Sequence, residues 1–524
     1  MTSLNWRESL QRAGSFFASR NTREFLLWCL PALVVALAFR IALTVSLPYG
    51  YYHDDTVDFL LTPDRLLNSF SISVHTKKTF LVPATYTLPF LFGVPALIAI
   101  PLFQHLLGIV LVLIVGLLCR LWLVRWRVFI LPLTLLAAAN PFYLGLEHTL
   151  IAESIFVFTT TLLVVAGTLY ALAQTRARFV FLLLALYLEA AARPEGKLLF
   201  AFGILLVVCL HARNWRTSWM RVAAVLLLAL GMHFITKTRQ GGLLLYTSVA
   251  RFTPADLKCA PGFEPYIAPL RAELQERWHT YRTFPRVRDR KAISAAVERY
   301  LREQRGVTSR LNREVEALCL AMARETCQRN LFRLPGHALA KFHAVATEAP
   351  NDLFDRHILL EKQREALQAA GKRTVRLARG LTGQPLPDAA AIDQFVQSNY
   401  REVPWFNRWQ QLWLAVVNAL RRPDSHVPDS SSPATPRRIP GLPLYFILAA
   451  LGLIAAALRR GELQLFHIVC GLALAGFFFV LMLTANVRPR FRFVFEPFWF
   501  LYIAVLLETV SLAVKGRLRT ARAK

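Results

Sequence analysis

With 524 residues, 55% of them hydrophobic and a mean hydropathy of +0.40, the chain is too apolar for an ordinary soluble enzyme or a disordered segment. It has the composition of a polytopic membrane protein. Its 61 Lys and Arg against 33 Asp and Glu give a formal charge of +28. That balance would suggest nucleic acid on a soluble chain, but here the cations must first be placed relative to the membrane.

Ten apolar segments run in order over 24–47, 94–119, 128–142, 150–173, 179–192, 197–210, 222–236, 441–458, 463–485 and 497–514. Several fall short of the ~20 residues of a full span, which predicts tilted or broken helices among them. Residues 1–23 carry an Arg-rich flank, and no small-residue cleavage site follows the first segment, so that segment reads as a retained anchor. Directly after it come Tyr51-Tyr52-His53-Asp54-Asp55-Thr56. Adjacent carboxylates at a membrane boundary repel each other, and desolvating them is costly unless a cation, metal or proton compensates. Drawing a proton from a weak nucleophile is one reason to place them there. A solvated loop start or a helix N-cap is the plainer alternative. The same loop, 48–93, ends in a short apolar helix near 80–86 that follows Lys77-Lys78.

Placing the N-terminus inside gives 19 Lys and Arg on the inner segments, the last of them in the basic tail 515–524, and 8 on the short outer ones. The cation bias therefore puts Asp54 and Asp55 on the outer face. The same topology puts the long polar stretch 237–440 outside, with 33 Lys and Arg against 20 Asp and Glu. That argues against nucleic acid and for anionic lipid or an anionic acceptor. Runs near 287–304, 308–331, 352–370 and 388–400 have helical spacing, and Trp405, Trp409 and Trp413 mark a helix that is either interfacial or packed. A Pro/Ser-rich linker, 423–440, leads back to the last three segments, 441–514. Cys259, Cys319 and Cys327 leave room for one disulfide in the outer region.

Charged residues gather at the outer ends of spans, where each would cost several kcal/mol against lipid. Besides Asp54 and Asp55 these are Glu147, His148 and Glu153; Arg193, Glu195 and Lys197; Arg488, Arg490 and Arg492; and Arg40 within the first segment. Clustered arginines suit a phosphate or diphosphate head group, although interfacial snorkelling explains any single one about as well. Glu153 has the simpler option of pairing with an Arg, and His148 that of capping a helix.

The order of these features resembles the GT-C superfamily of membrane glycosyltransferases, which includes protein O-mannosyltransferases and the aminoarabinose transferases acting on lipid A. His53-Asp54-Asp55 stands where the family places its acidic pair. Phe103-Gln104-His105-Leu106-Leu107-Gly108 is similar to its second span, Asn140-Pro141 with Glu147 and Glu153 to its Pro-then-Glu turn, and Ala192-Arg193-Pro194-Glu195-Gly196 to its Arg-Pro turn. Arg490-Phe491-Arg492-Phe493 with Glu496-Pro497 resembles the entry to its last span. The likeness covers 24–236 and 441–514, with 237–440 inserted between them.

The resemblance implies an all-α, polytopic fold of about ten spans in a bacterial inner membrane, with the active site on the extracytoplasmic face. It implies inverting transfer of a sugar from a polyprenyl-phosphate donor to a hydroxyl of an extracytoplasmic acceptor, a glycolipid, envelope glycan or protein. Asp54 would be the general base. Asp55 would orient the acceptor, or hold a divalent metal where one is used; no other cofactor is implied. Arg193, Lys197, Arg488, Arg490, Arg492 and Arg40 would bind the donor phosphate, supported by His53, Glu147, His148, Glu153 and Glu195. An O-antigen-ligase-like transferase would instead rely on His337, His343 and His357 in the outer region. A lipid-linked-sugar flippase would require charges near the midplane and two similar halves, which this sequence does not show.

Overall fold

In a computed structural model the described residues are 20–52, 56, 79–212, 215–235, 241–281, 287–339, 356–373, 375–419, 444–459, 461, 463–484 and 496–523. Among them the chain is helical, with one isolated bridge between Tyr51 and Thr149. Every apolar segment of the sequence appears as a helix. In order these are α1 (Arg20–Ser46), α2 (Leu81–Leu91), α3 (Ala96–Trp122), α4 (Trp126–Ala139), α5 (Pro141–Glu147), α6 (Glu153–Leu172), α7 (Arg176–Ala192), α8 (Phe200–Leu210) and α9 (Trp215–Ile235). By length and composition α1, α3, α6 and the apolar part of α20 (Glu496–Ala523) are each able to cross a membrane, and the bent pair α4–α5 makes a fifth. Helix α9, with α18 (Leu444–Leu458) and α19 (Gln464–Thr484), contributes shorter apolar stretches beside them. The outward face of α1, with Leu27, Leu30, Val34, Leu37, Ile41 and Val45 exposed, is a surface suited to lipid rather than water.

Two breaks in this bundle have local causes. Asn140 precedes a proline and is therefore pushed out of the helical region, to φ −63° and ψ 112°. Its side chain then accepts from the Phe142 amide at 2.9 Å, capping α5 at a 45° bend from α4. Arg193 also precedes a proline and is extended, so α7 stops and a 3₁₀ turn, Pro194–Leu199, leads into α8. Gly196 is required in that turn, because a Cβ there would lie 2.3 Å from the Glu189 carbonyl oxygen.

The region between the two apolar modules is helical: α10 (Gly241–Val249), α11 (Glu264–Tyr281), α12 (Val287–Arg305), α13 (Leu311–Arg329), α14 (Arg356–Arg373), α15 (Val375–Thr382), α16 (Ala389–Asn399) and α17 (Pro404–Ala419). It does not share one core. Residues 241–334 enclose their own, around Tyr246, Phe263, Ile267, Val297, Tyr300 and Met322. Residues 360–413 add Leu367, Phe395, Tyr400, Phe406 and Trp413 to the core of the membrane bundle. Helix α17 is a packed helix: Trp405 and Trp409 lie 5.9 and 5.5 Å from the Phe39 ring of α1. Trp409 also donates to the Ala139 carbonyl at 2.7 Å. The disulfide allowed by the sequence does not form, since Cys259, Cys319 and Cys327 are all free thiols. Cys319 is fully buried in the apolar core of 241–334.

Candidate functional site

Residues 148–152, the turn between α5 and α6, organise the end of the bundle at which the charged turns gather. The chain leaving α1 runs alongside this turn. Gly50 donates to the Leu97 carbonyl at 2.6 Å, Tyr51 to His148 at 2.9 Å, and the Leu150 amide returns a bond to Tyr51 at 2.8 Å. Thr56 Oγ1 donates to the Leu150 carbonyl at 2.5 Å. His53, Asp54 and Asp55 lie outside the described residues, and both their described neighbours, Tyr52 and Thr56, are buried.

Beneath that strand lies a buried polar chain. Glu147 accepts from Arg40 at 2.6 Å and faces His105 Nδ1 at 2.8 Å. His105 Nε2 lies 3.2 Å from His148 Nδ1, and His148 Nε2 lies 3.3 Å from the Tyr49 carbonyl. Burial, aided by the neighbouring His105, pushes the His148 imidazole down to about 3, so it is neutral at physiological pH. A neutral His148 donates from Nε2 to Tyr49 and accepts at Nδ1 from His105. Arg40 also donates to the Ala36 and Ala138 carbonyls, at 3.1 and 3.2 Å. An isolated ion at this depth would be very costly, and the pairing explains how Arg40 and Glu147 are both tolerated. Gly108 makes the room, because a Cβ there would fall 1.9 Å from Glu147 Oε1 and 2.5 Å from Arg40 Nη2.

The Gln-x-x-x-Gly stretch thus has a local explanation. Gln104 lies 3.0 Å from the Tyr86 hydroxyl, which is also 3.0 Å from the Ile151 carbonyl, and Gly108 accommodates the ion pair. His105 was visible in that stretch, yet nothing in the sequence distinguished it from a packed histidine.

A second group stands on the far side of the turn. Glu153 opens α6 in its first turn, where the helix dipole favours an anion. Its Oε1 lies 2.9 Å from Arg193 Nη1, and Arg193 Nε lies 3.2 Å from Glu195 Oε2. The Arg193 guanidinium also stacks 5.5 Å from the Phe156 ring, leaving its side chain 12% exposed. The half-buried Lys197 follows in the 3₁₀ turn. Below, the buried Glu189 of α7 accepts from Thr159 and Thr160 of α6 at 2.5 and 2.6 Å. Those threonines were not foreseen. Thr160 and Leu199 also border an apolar crevice between spans, lined further by Trp122, Phe202, Phe498 and Tyr502.

Arg488, Arg490 and Arg492 lie outside the described residues, as does His343. His357 falls on α14, whereas His337 is buried beside the core of 241–334, bonded to Arg251 at 2.6 Å and to the Ser248 carbonyl at 3.0 Å. Among the described residues no group of three or more His, Cys, Asp or Glu is placed to hold a metal ion. Asp55, the residue proposed for one, is not among them.

No family model matches the chain, and no curated protein matches it. Among solved structures it is similar to the crystal structure of ArnT from Cupriavidus metallidurans bound to undecaprenyl phosphate. The two share 13% identity, over 87% of this chain and 77% of that one, with a TM-score of 0.31. A likeness of that size carries no inference about activity.

Proposed function

We propose that the protein is a membrane glycosyltransferase that moves a sugar from a polyprenyl-phosphate donor to a hydroxyl of an acceptor on the outer face. The observation that carries this reading is the double use of the turn 148–152. On one side it anchors Tyr51 and Thr56, which flank the carboxylate pair. On the other it leads into Glu153, which holds Arg193 beside Lys197 and an apolar crevice. An acid, a cationic turn and an apolar crevice linked through one short segment suit a substrate with an isoprenoid tail, a phosphate and a reacting sugar.

In this mechanism the acceptor oxygen attacks the anomeric carbon from the face opposite the phosphate, and Asp54 takes the hydroxyl proton. The new C–O bond forms as the bond from the anomeric carbon to the phosphate oxygen breaks, and that electron pair leaves on the polyprenyl phosphate. Arg193, Lys197, Arg488, Arg490 and Arg492 stabilise the departing charge; removing one contact of this kind typically costs ~10²–10³ in rate. Asp55 orients the acceptor. Arg40 has a supporting part: besides being engaged by Glu147 and two carbonyls, its side chain is only 3% exposed, against 12% for Arg193.

The test uses the protein in proteoliposomes with a panel of polyprenyl-phosphate monosaccharides, following release of free polyprenyl phosphate. Asp54→Asn is expected to lower transfer by about 10²–10⁴, the usual contribution of a general base, with donor binding retained. A wild-type rate in Asp54→Asn removes Asp54 as the base. No release from any donor by the wild-type protein removes the donor class.

A further inference from the structure

The segment 50–52 that precedes the carboxylate pair is held from two sides, and the second side comes from α14 and the residue that ends α16. Tyr52 donates its amide to Gln363 Oε1 of α14 at 2.6 Å. Gln363 Nε2 donates to the Tyr400 hydroxyl at 2.7 Å, and that hydroxyl donates to the Gly50 carbonyl at 2.9 Å. Gln363 and Tyr400 are both buried, at 0% and 2% exposure. The direction of each bond is fixed. The amide oxygen must face the Tyr52 N–H, so its NH₂ must face the Tyr400 hydroxyl, whose single proton then points at the Gly50 carbonyl. Residues 50–52 therefore lie between the turn 148–150 and a two-residue clamp more than 300 positions away in sequence. Ring contacts support the arrangement, with Tyr51 5.4 Å from Tyr400 and Tyr49 5.0 Å from Phe395.

We infer that Gln363 and Tyr400 are positioning residues for the transfer reaction: α14 and α16 set the reach of Asp54 by fixing the backbone two residues before it. This inference rests on the glycosyltransferase reading. A buried side-chain clamp with fixed donor order limits how far residues 50–52 can shift, and a misplacement of about 1 Å at a reacting group can cost about 10² in rate. The clamp should therefore affect turnover rather than donor affinity.

The experiment compares Tyr400→Phe, which keeps the ring and removes only the hydroxyl, with Gln363→Met in the full-length protein in nanodiscs. Two quantities are read: steady-state transfer, and hydrogen exchange of a peptide covering residues 47–56. Both variants are expected to speed exchange in that peptide about tenfold and to lower kcat about 10- to 100-fold. The donor KM should stay within about twofold, and protection of α3 and α6 should be unchanged. Unaltered exchange, or faster exchange with wild-type kcat, overturns the inference. So does a loss in which kcat, KM and the protection of α3 and α6 all change together, since that marks a merely structural role. Asp54→Asn run alongside separates the two failures. If Asp54→Asn is inactive while Tyr400→Phe is wild-type, the clamp fails and the reading stands. If Asp54→Asn is fully active, Asp54 is not the base and has no reach to set. If the wild-type protein releases polyprenyl phosphate from no donor, the glycosyltransferase reading itself fails, whatever the exchange data show.

Discussion

The two helical units between the apolar modules meet the bundle in different ways. Residues 241–334 close a core of their own, with Tyr246, Tyr300 and Met322 buried among themselves. Residues 360–413 close no separate core and give their apolar side chains to the bundle. They also reach the strand before the carboxylate pair, through Gln363 and Tyr400. A unit with its own core can change without disturbing what lies beneath it. One that completes another core is coupled to it, so the two units should respond differently to the same perturbation.

The largest expected effect comes from the charged floor below the strand. Arg40→Met leaves Glu147 buried without its guanidinium partner, and breaking a buried pair in this way costs about 3–5 kcal/mol. Thermal unfolding should fall accordingly. In hydrogen exchange 356–419 should lose protection with the bundle while 241–334 keeps its own. Equal loss in both units would erase the contrast. Met322→Ala is the converse. It opens a cavity at a fully buried site of 241–334, worth about 2–5 kcal/mol locally. Protection at residues 50–52 and the transfer rate should stay at wild-type levels.

The smallest effect is one of pH. Desolvation works to raise the Glu325 carboxyl, but bonds from the Lys258 and Cys259 amides at 2.9 and 3.0 Å, with Arg329 at 2.6 Å, hold it down to about 2. A folded value below the ordinary 4.5 means that this stabilisation is complete above about pH 4.5 and is lost as pH falls toward about 2. Exchange in 241–334 should quicken across that window, and Glu325→Gln should remove the dependence. A pH response unchanged in Glu325→Gln would show that other groups control it.

Much of the fold was legible because its signals are local. Apolar runs located the helices, and prolines at 141 and 194 marked the breaks at Asn140 and Arg193. Spacing also marked α12, α13, α14, α16 and α17, but gave no sign of α10, α11 or α15. Partnerships between distant side chains were not legible. Nothing in the sequence around Arg40 announces its pairing with Glu147, 107 positions away. Glu153 had been allowed a plain ion pair, and Arg193 provides it. His105, Gln363 and Tyr400 were missed for the same reason, since an isolated polar residue on a helix does not announce what it will face. Gly108 came nearest to a signal: it was noted as part of a motif, and its small size is what admits the Arg40–Glu147 pair.

The interruption at Asn140 also has a mechanical consequence. Because the Phe142 amide bonds the Asn140 side chain, it no longer closes on the Ala138 carbonyl four residues back. Ala138 instead receives Arg40 from α1, and the adjacent Ala139 receives Trp409 from α17. A kinked helix thus acts as a rivet. Two consecutive carbonyls fasten α1 and α17 to one point, so tilting of α4 would pull both together.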